Sequence, residues 1–190
     1  MRLAWLCLLC SPWGAQAHKP SDSYLTLTAG PDARIDVVWH VALRDLDGEL
    51  ALDANDDGRL TWGEVRDRWQ DMRNFVRPHL QLSLAGEVCE VIGGSDASPA
   101  LVSHTDGTYA VFAWTQRCTV PAEQMWQGAT LSYSLFALSD PTHRGIVRWR
   151  RQDGSAPASE LGVVVLGGAR PAHTQSWGPI GMPERASAPG

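Results

Sequence analysis

Residues 53–64 impose a helix–loop–helix on a chain whose other segments alternate like a sheet. Asp53, Asn55, Asp57, Thr61 and Glu64 set side-chain oxygens at positions 1, 3, 5, 9 and 12 of this stretch. Gly58 stands at position 6, where the chain must turn sharply, and Arg59 at position 7 need supply only its backbone carbonyl. Calcium takes six to eight oxygens in flexible geometry, and this spacing wraps them around one centre. The stretch therefore predicts a calcium loop with ligands Asp53, Asn55, Asp57, the Arg59 carbonyl, Thr61 through water, and Glu64 with both carboxylate oxygens. Leu60 at position 8 is the apolar residue that anchors such a loop to a core. A solvated acidic turn is the simpler alternative, but it does not require every ligand position to be filled.

The flanks fit the same reading. Leu43, Leu46 and Leu50 fall on one helical face before the loop, with Gly48 weakening that helix by about 1 kcal/mol relative to Ala. Trp62, Val65, Trp69, Met72 and Val76 form an amphipathic stripe after it, which predicts one helix from Thr61 to the boundary set by Pro78. Thr61 and Glu64 have the spacing of a capping box. The aromatic part of the stripe reads as core packing.

Elsewhere the period is two. Residues 23–28 and 35–43 read as a hairpin across the turn at Gly30. Further strands are expected over 80–84, 88–92, 101–105, 108–118, 130–138, 146–150 and 161–166, with Asp106-Gly107 as a hairpin turn. The expected fold is mainly β with an α insertion: a β-sandwich-like domain over 18–166 carrying one EF-hand helix–loop–helix at about 43–77. Residues 167–190, rich in Gly, Pro, Ala and Ser, read as a disordered tail.

The first 17 residues read as an export signal, with Arg2, a short apolar run over 3–10 and the small residues Ala15 and Ala17 before a cleavage point. That run is too short for a membrane span, and no other run is long enough. Cys10 lacks the small residue before it that a lipid-modified cysteine needs. Cleavage would leave Cys89 and Cys118, expected to form one disulfide in an oxidising periplasmic or secreted setting, rather than two separate buried thiols. Losing Arg2 takes the formal net charge from −5 to −6. Asp45, Asp47, Glu49, Asp53, Asp56, Asp57 and Glu64 crowd residues 45–64 against Arg59 alone, which disfavours nucleic acid at this surface and favours a cation.

Three segments carry a family resemblance: residues 18–25, beginning His18-Lys19-Pro20; residues 42–47, leading into the loop; and residues 140–145, Asp140-Pro141-Thr142-His143-Arg144-Gly145. Over about 18–150 the chain resembles small exported bacterial EF-hand domain proteins, and is similar to the soluble ectodomain of HupE/UreJ-type proteins. The resemblance implies a periplasmic calcium-binding domain with a protein partner still to be identified.

A second metal chemistry is open to the histidines. If cleavage falls after Ala17, His18 becomes amino-terminal and could chelate copper or nickel through its amine and ring, with His40, His79, His104 or His143 completing the site. Each of these also reads as an ordinary surface or loop histidine. Catalysis is not expected. The chain has no Gly-x-Ser-x-Gly and no His-Glu-x-x-His, and bridging leaves no thiol. Asp45 and Asp47 read as adding to the negative field of the loop. His143-Arg144 could bind an anion, but a turn stabilised by Asp140 accounts for that segment more simply.

Overall fold

The alternating segments assemble into two sheets around one core. The computed structural model describes residues 21–30, 33–94, 98–119, 128–152 and 156–175. The expected export signal, His18 and residues 176–190 lie outside this set. Strands β1 (Asp22–Ala29) and β2 (Arg34–Ala42) form the expected antiparallel hairpin, with Tyr24 opposite His40 and Leu27 opposite Val37. Period-two alternation turns Leu25, Leu27 and Ala29 of β1, and Val37, Trp39 and Val41 of β2, into the core.

The chain then runs through α1 (Leu43–Leu50), α2 (Trp62–Asp67), α3 (Trp69–Val76) and a 3-10 turn at Arg77–His79. The remaining strands are β3 (Leu80–Leu84), β4 (Glu87–Val88), β5 (Glu90–Gly94), β6 (Leu101–His104), β7 (Gly107–Arg117), β8 (Ala129–Tyr133), β9 (Arg144–Arg151), β10 (Ser159–Gly167) and β11 (Ala172–Gln175). The larger sheet runs β10-β9-β1-β2-β7-β5, with β6 also paired to β7; the smaller runs β11-β8-β3-β4. Strands β1 and β9 pair in parallel, Asp22 beside Arg144.

The two sheets share their core in a sandwich-like layering. Trp39 of the larger sheet and Tyr133 of the smaller have ring centroids 5.6 Å apart. Leu82, Leu84 and Leu131 of the smaller sheet are buried in the same cluster as Leu25, Phe112 and Trp149 of the larger. The helical segment closes one part of this core. Leu46 of α1 and Trp69, Met72 and Val76 of α3 are buried, and the Trp69 ring stacks on Phe112 of β7 at 5.0 Å. Each such large apolar side chain contributes roughly 1.5–3 kcal/mol by leaving water.

Five details depart from the sequence reading. The helix expected from Thr61 to Val76 breaks at Arg68, whose φ of −100° and ψ of 9° leave the helical region. Trp62 does not join the buried stripe but remains 52% exposed, because α2 turns only Val65 inward. The single returning strand expected over 88–92 is two. Strand β4 pairs with β3 in the smaller sheet, Cys89 leaves the ladder, and β5 pairs with β7 in the larger. The strand expected to run to Leu138 stops at Tyr133, where Ser134 N–H donates to the His79 carbonyl and Phe136 enters a turn with φ of 56°. Finally, residues 172–175 of the expected disordered tail form β11. Pairing with β8, and a hydroxyl bond between Thr130 and Thr174 at 2.7 Å, give that polar segment the partner its composition does not reveal.

Candidate functional site

The 53–64 loop is organised by its own amides. Ahead of it, Ala51 ends α1 in the left-handed region at φ 47°, and Asp47 Oδ1 accepts the N–H groups of Leu52 at 2.7 Å and Asp53 at 3.0 Å. Asp47 therefore fixes the exit from α1 as well as adding charge. Two further positive φ values make the turn, Asp56 at 57° and Gly58 at 76°. A glycine suits the second because no Cβ opposes that conformation.

The carboxylates then close the loop. Asp53 accepts from Asp57 N–H at 3.2 Å and from Gly58 N–H at 2.7 Å. Asn55 Oδ1 accepts from Asp57 N–H at 3.1 Å, and its amide donates to Asp57 Oδ2 at 3.0 Å. Asp57 Oδ1 accepts Arg59 N–H at 2.9 Å. Glu64 spans the loop: Oε1 accepts from Ala54 N–H at 3.0 Å, and Oε2 accepts from both Thr61 N–H and the Thr61 hydroxyl at 2.8 Å. Thr61 Oγ1 in turn accepts Glu64 N–H, completing the capping box that starts α2. These bonds, those from Thr61 foremost, hold the Glu64 carboxyl below the usual carboxylate range.

The loop thus carries a set of hard oxygen donors on a frame of fixed shape, which suits a calcium-sized cation by chemistry. Its acidic groups are turned onto amides. Among the described residues, no three His, Cys, Asp or Glu side chains are gathered into a group that could hold a metal ion. Both shoulders are seated, since Leu52 and Val65 are buried and Leu60 packs against the core cluster. A cavity of about 530 Å³ adjoins the loop, lined by Leu43, Leu60, Val65 and Leu101, with Trp62 and Asp106 also on its wall.

Cys89 and Cys118 form a disulfide, S–S 2.05 Å. Cys89 N–H donates to Leu82 O, and Cys118 N–H to Ala33 O, so the bridge ties the smaller sheet's β3–β4 edge to the larger sheet at the end of β7.

The histidines separate into distinct roles. His143 is buried between sheets: its Nδ1 is bonded to the Ser21 hydroxyl and its Nε2 to the Tyr133 hydroxyl at 2.6 Å. Tyr133 continues to Ser23 at 2.8 Å, and Trp39 Nε1 donates to Ser23 at 3.1 Å. Burial pushes the His143 imidazole down to about 4. His79 Nδ1 lies 3.1 Å from Ser134 Oγ. His40 Nδ1 and His104 Nε2 meet at 3.0 Å. Asp140 stabilises its turn as expected, accepting Thr142 N–H at 2.9 Å, while Arg144 grips Asp22 through two bonds of 2.8 and 2.9 Å. The segments around 22 and 144, far apart in sequence, are thereby joined. Nothing in the sequence alone signals the Ser21–His143–Tyr133–Ser23 chain, because its members come from separate strands and a turn.

No protein-family model matches the chain, and neither does any curated protein. Among the described residues, no helix is long and apolar enough to cross a membrane.

Proposed function

We propose that this chain is an exported, disulfide-bridged EF-hand protein that binds one Ca²⁺ in the 53–64 loop. Asp53, Asn55, Asp57, the Arg59 carbonyl, Thr61 and Glu64 supply the oxygens. The observation that carries this reading is the loop's amide framework. Asp53, Asn55, Asp57 and Glu64 each accept hydrogen bonds from loop N–H groups, so the loop backbone is already ordered and the side-chain oxygens need only turn from those amides to the cation.

The role is structural. The loop stands between a β-hairpin and a sheet and belongs to the same cluster that buries Leu52 and Val65. An ion there pins α2 and α3 to the sandwich. Affinity for such extracellular sites is roughly 10⁻⁴ to 10⁻³ M, suited to a calcium-rich exterior. The resemblance to exported bacterial EF-hand proteins, the leader-like first 17 residues and the disulfide support export.

Metal content by mass spectrometry of protein recovered from the periplasm, paired with melting curves, tests this. One calcium per chain is expected. Calcium at about 100 times its dissociation constant should stabilise the fold by roughly 2.7 kcal/mol. No calcium, and identical melting with and without chelator, would remove the reading.

A further inference from the structure

We propose that His40 and His104 form a separate site for a divalent copper ion on the outer face of the larger sheet. Trp39 and Val41 point into the core, so His40 between them points outward. His104, at the end of β6, brings its Nε2 to 3.0 Å from His40 Nδ1. Two nitrogens each about 2.0 Å from one metal stand roughly 2.8 Å apart at a right angle and roughly 3.3 Å apart at the tetrahedral angle. The observed separation lies between the two. A pivot of roughly 40° by each ring turns both lone pairs from each other to one ion.

The surroundings hold the ligands in place. Tyr24 stacks on the His104 ring at 4.8 Å with planes 7° apart, and the Tyr109 ring lies at 4.5 Å. Tyr109 donates its hydroxyl to Asp106 Oδ2 at 2.9 Å, which fixes a carboxylate close to the aromatic group and adds a negative field that favours a cation.

The donor atoms select the ion. Imidazole nitrogens suit late transition metals rather than calcium, and copper heads the affinity order for nitrogen sites among divalent first-row metals. Two protein nitrogens leave the other positions to water, so the ion is exchangeable. The proton now shared between the rings moves to the far nitrogen of its own imidazole as the metal arrives, with no net release. His143 is not a suitable partner, since both its ring nitrogens serve Ser21 and Tyr133, and His79 is bonded through Nδ1 to Ser134 in the smaller sheet's region.

The test is copper titration of the full chain in excess calcium, read by paramagnetic resonance and by calorimetry. The expected spectrum shows two imidazole nitrogens in the unaltered chain. His40→Gln and His104→Gln each lose one nitrogen and roughly tenfold or more in affinity, while His18→Gln, His79→Gln and His173→Gln change neither. A two-nitrogen signal that survives both His40→Gln and His104→Gln overturns the site. So do fewer than two imidazole nitrogens in the unaltered chain, a result that does not depend on how the variants fold.

Discussion

Arg68 donates to the carbonyl oxygen of Leu50 at 2.9 Å, across the full length of the 53–64 loop. A second nitrogen of the same guanidinium reaches the Ala51 carbonyl at 3.2 Å, and its Nε holds Asp71 at 2.7 Å. The end of α1 leaves carbonyls without helical partners, and Arg68 takes two of them. Arg68 is also where the helix after the loop breaks. The break and the clasp belong together: the loop's two flanks are joined by one side chain.

Replacing Arg68 with Met keeps the length of the chain and removes the clasp. Arg68→Met should lower unfolding stability by about 1 kcal/mol, since the site is partly exposed, and should weaken ion binding less than a ligand substitution does. Urea unfolding in chelator and in calcium measures both effects.

The disulfide closes a sequence separation of 29 residues. Removing it with Cys89→Ala and Cys118→Ala together should cost roughly 3 to 4 kcal/mol, mostly by freeing the unfolded chain. Denaturant midpoints of the double variant against the oxidised protein check this.

Acid should act through His143. Its folded pKa is depressed to about 4 from 6.5, so the unfolded chain takes up a proton first as pH falls. Stability from the neutral buried ring is complete above about pH 6.5 and is lost on the way to pH 4, at up to roughly 1.4 kcal/mol per pH unit. His143→Gln should flatten that part of the stability–pH curve. An unchanged slope between pH 6.5 and 4 would show that His143 does not carry it.

Gly145 lies against the Tyr133 ring, and a Cβ there would stand 2.7 Å from Tyr133 Cε2. Gly145→Ala should therefore displace Tyr133 from Ser23 and His143 and cost about 1–3 kcal/mol. Thermal melts, with Tyr133→Phe as the variant that removes only the hydroxyl, separate the packing effect from the hydrogen bonds.

Local signals were legible in the sequence, and long-range ones were not. The alternation of Leu25 and Leu27, the Thr61–Glu64 cap and the bridge from Cys89 to Cys118 follow from spacing or the expected compartment, whereas the hairpin expected to turn at Asp106-Gly107 turns one residue earlier, at Thr105 and Asp106, with Gly107 already paired to His104. The break at Arg68 depends on carbonyls 17 and 18 residues earlier, which no helical periodicity reports. The switch of sheets at Cys89 depends on β7, and β11 exists because β8 offers an open edge. The meeting of His40 and His104 needs β2, β6 and β7 in register, so the histidines have no ligand spacing in the sequence. For the loop itself, spacing named the residues, and the structure adds how Asp47 and Arg68 hold its two ends.

Calorimetric titration of calcium into the unaltered chain and into Glu64→Gln reads the 53–64 loop as an ion site. One site per chain is expected in the first, and loss of most of that affinity in the second with the fold retained in calcium-free buffer. Equal calcium binding by the two proteins would contradict it.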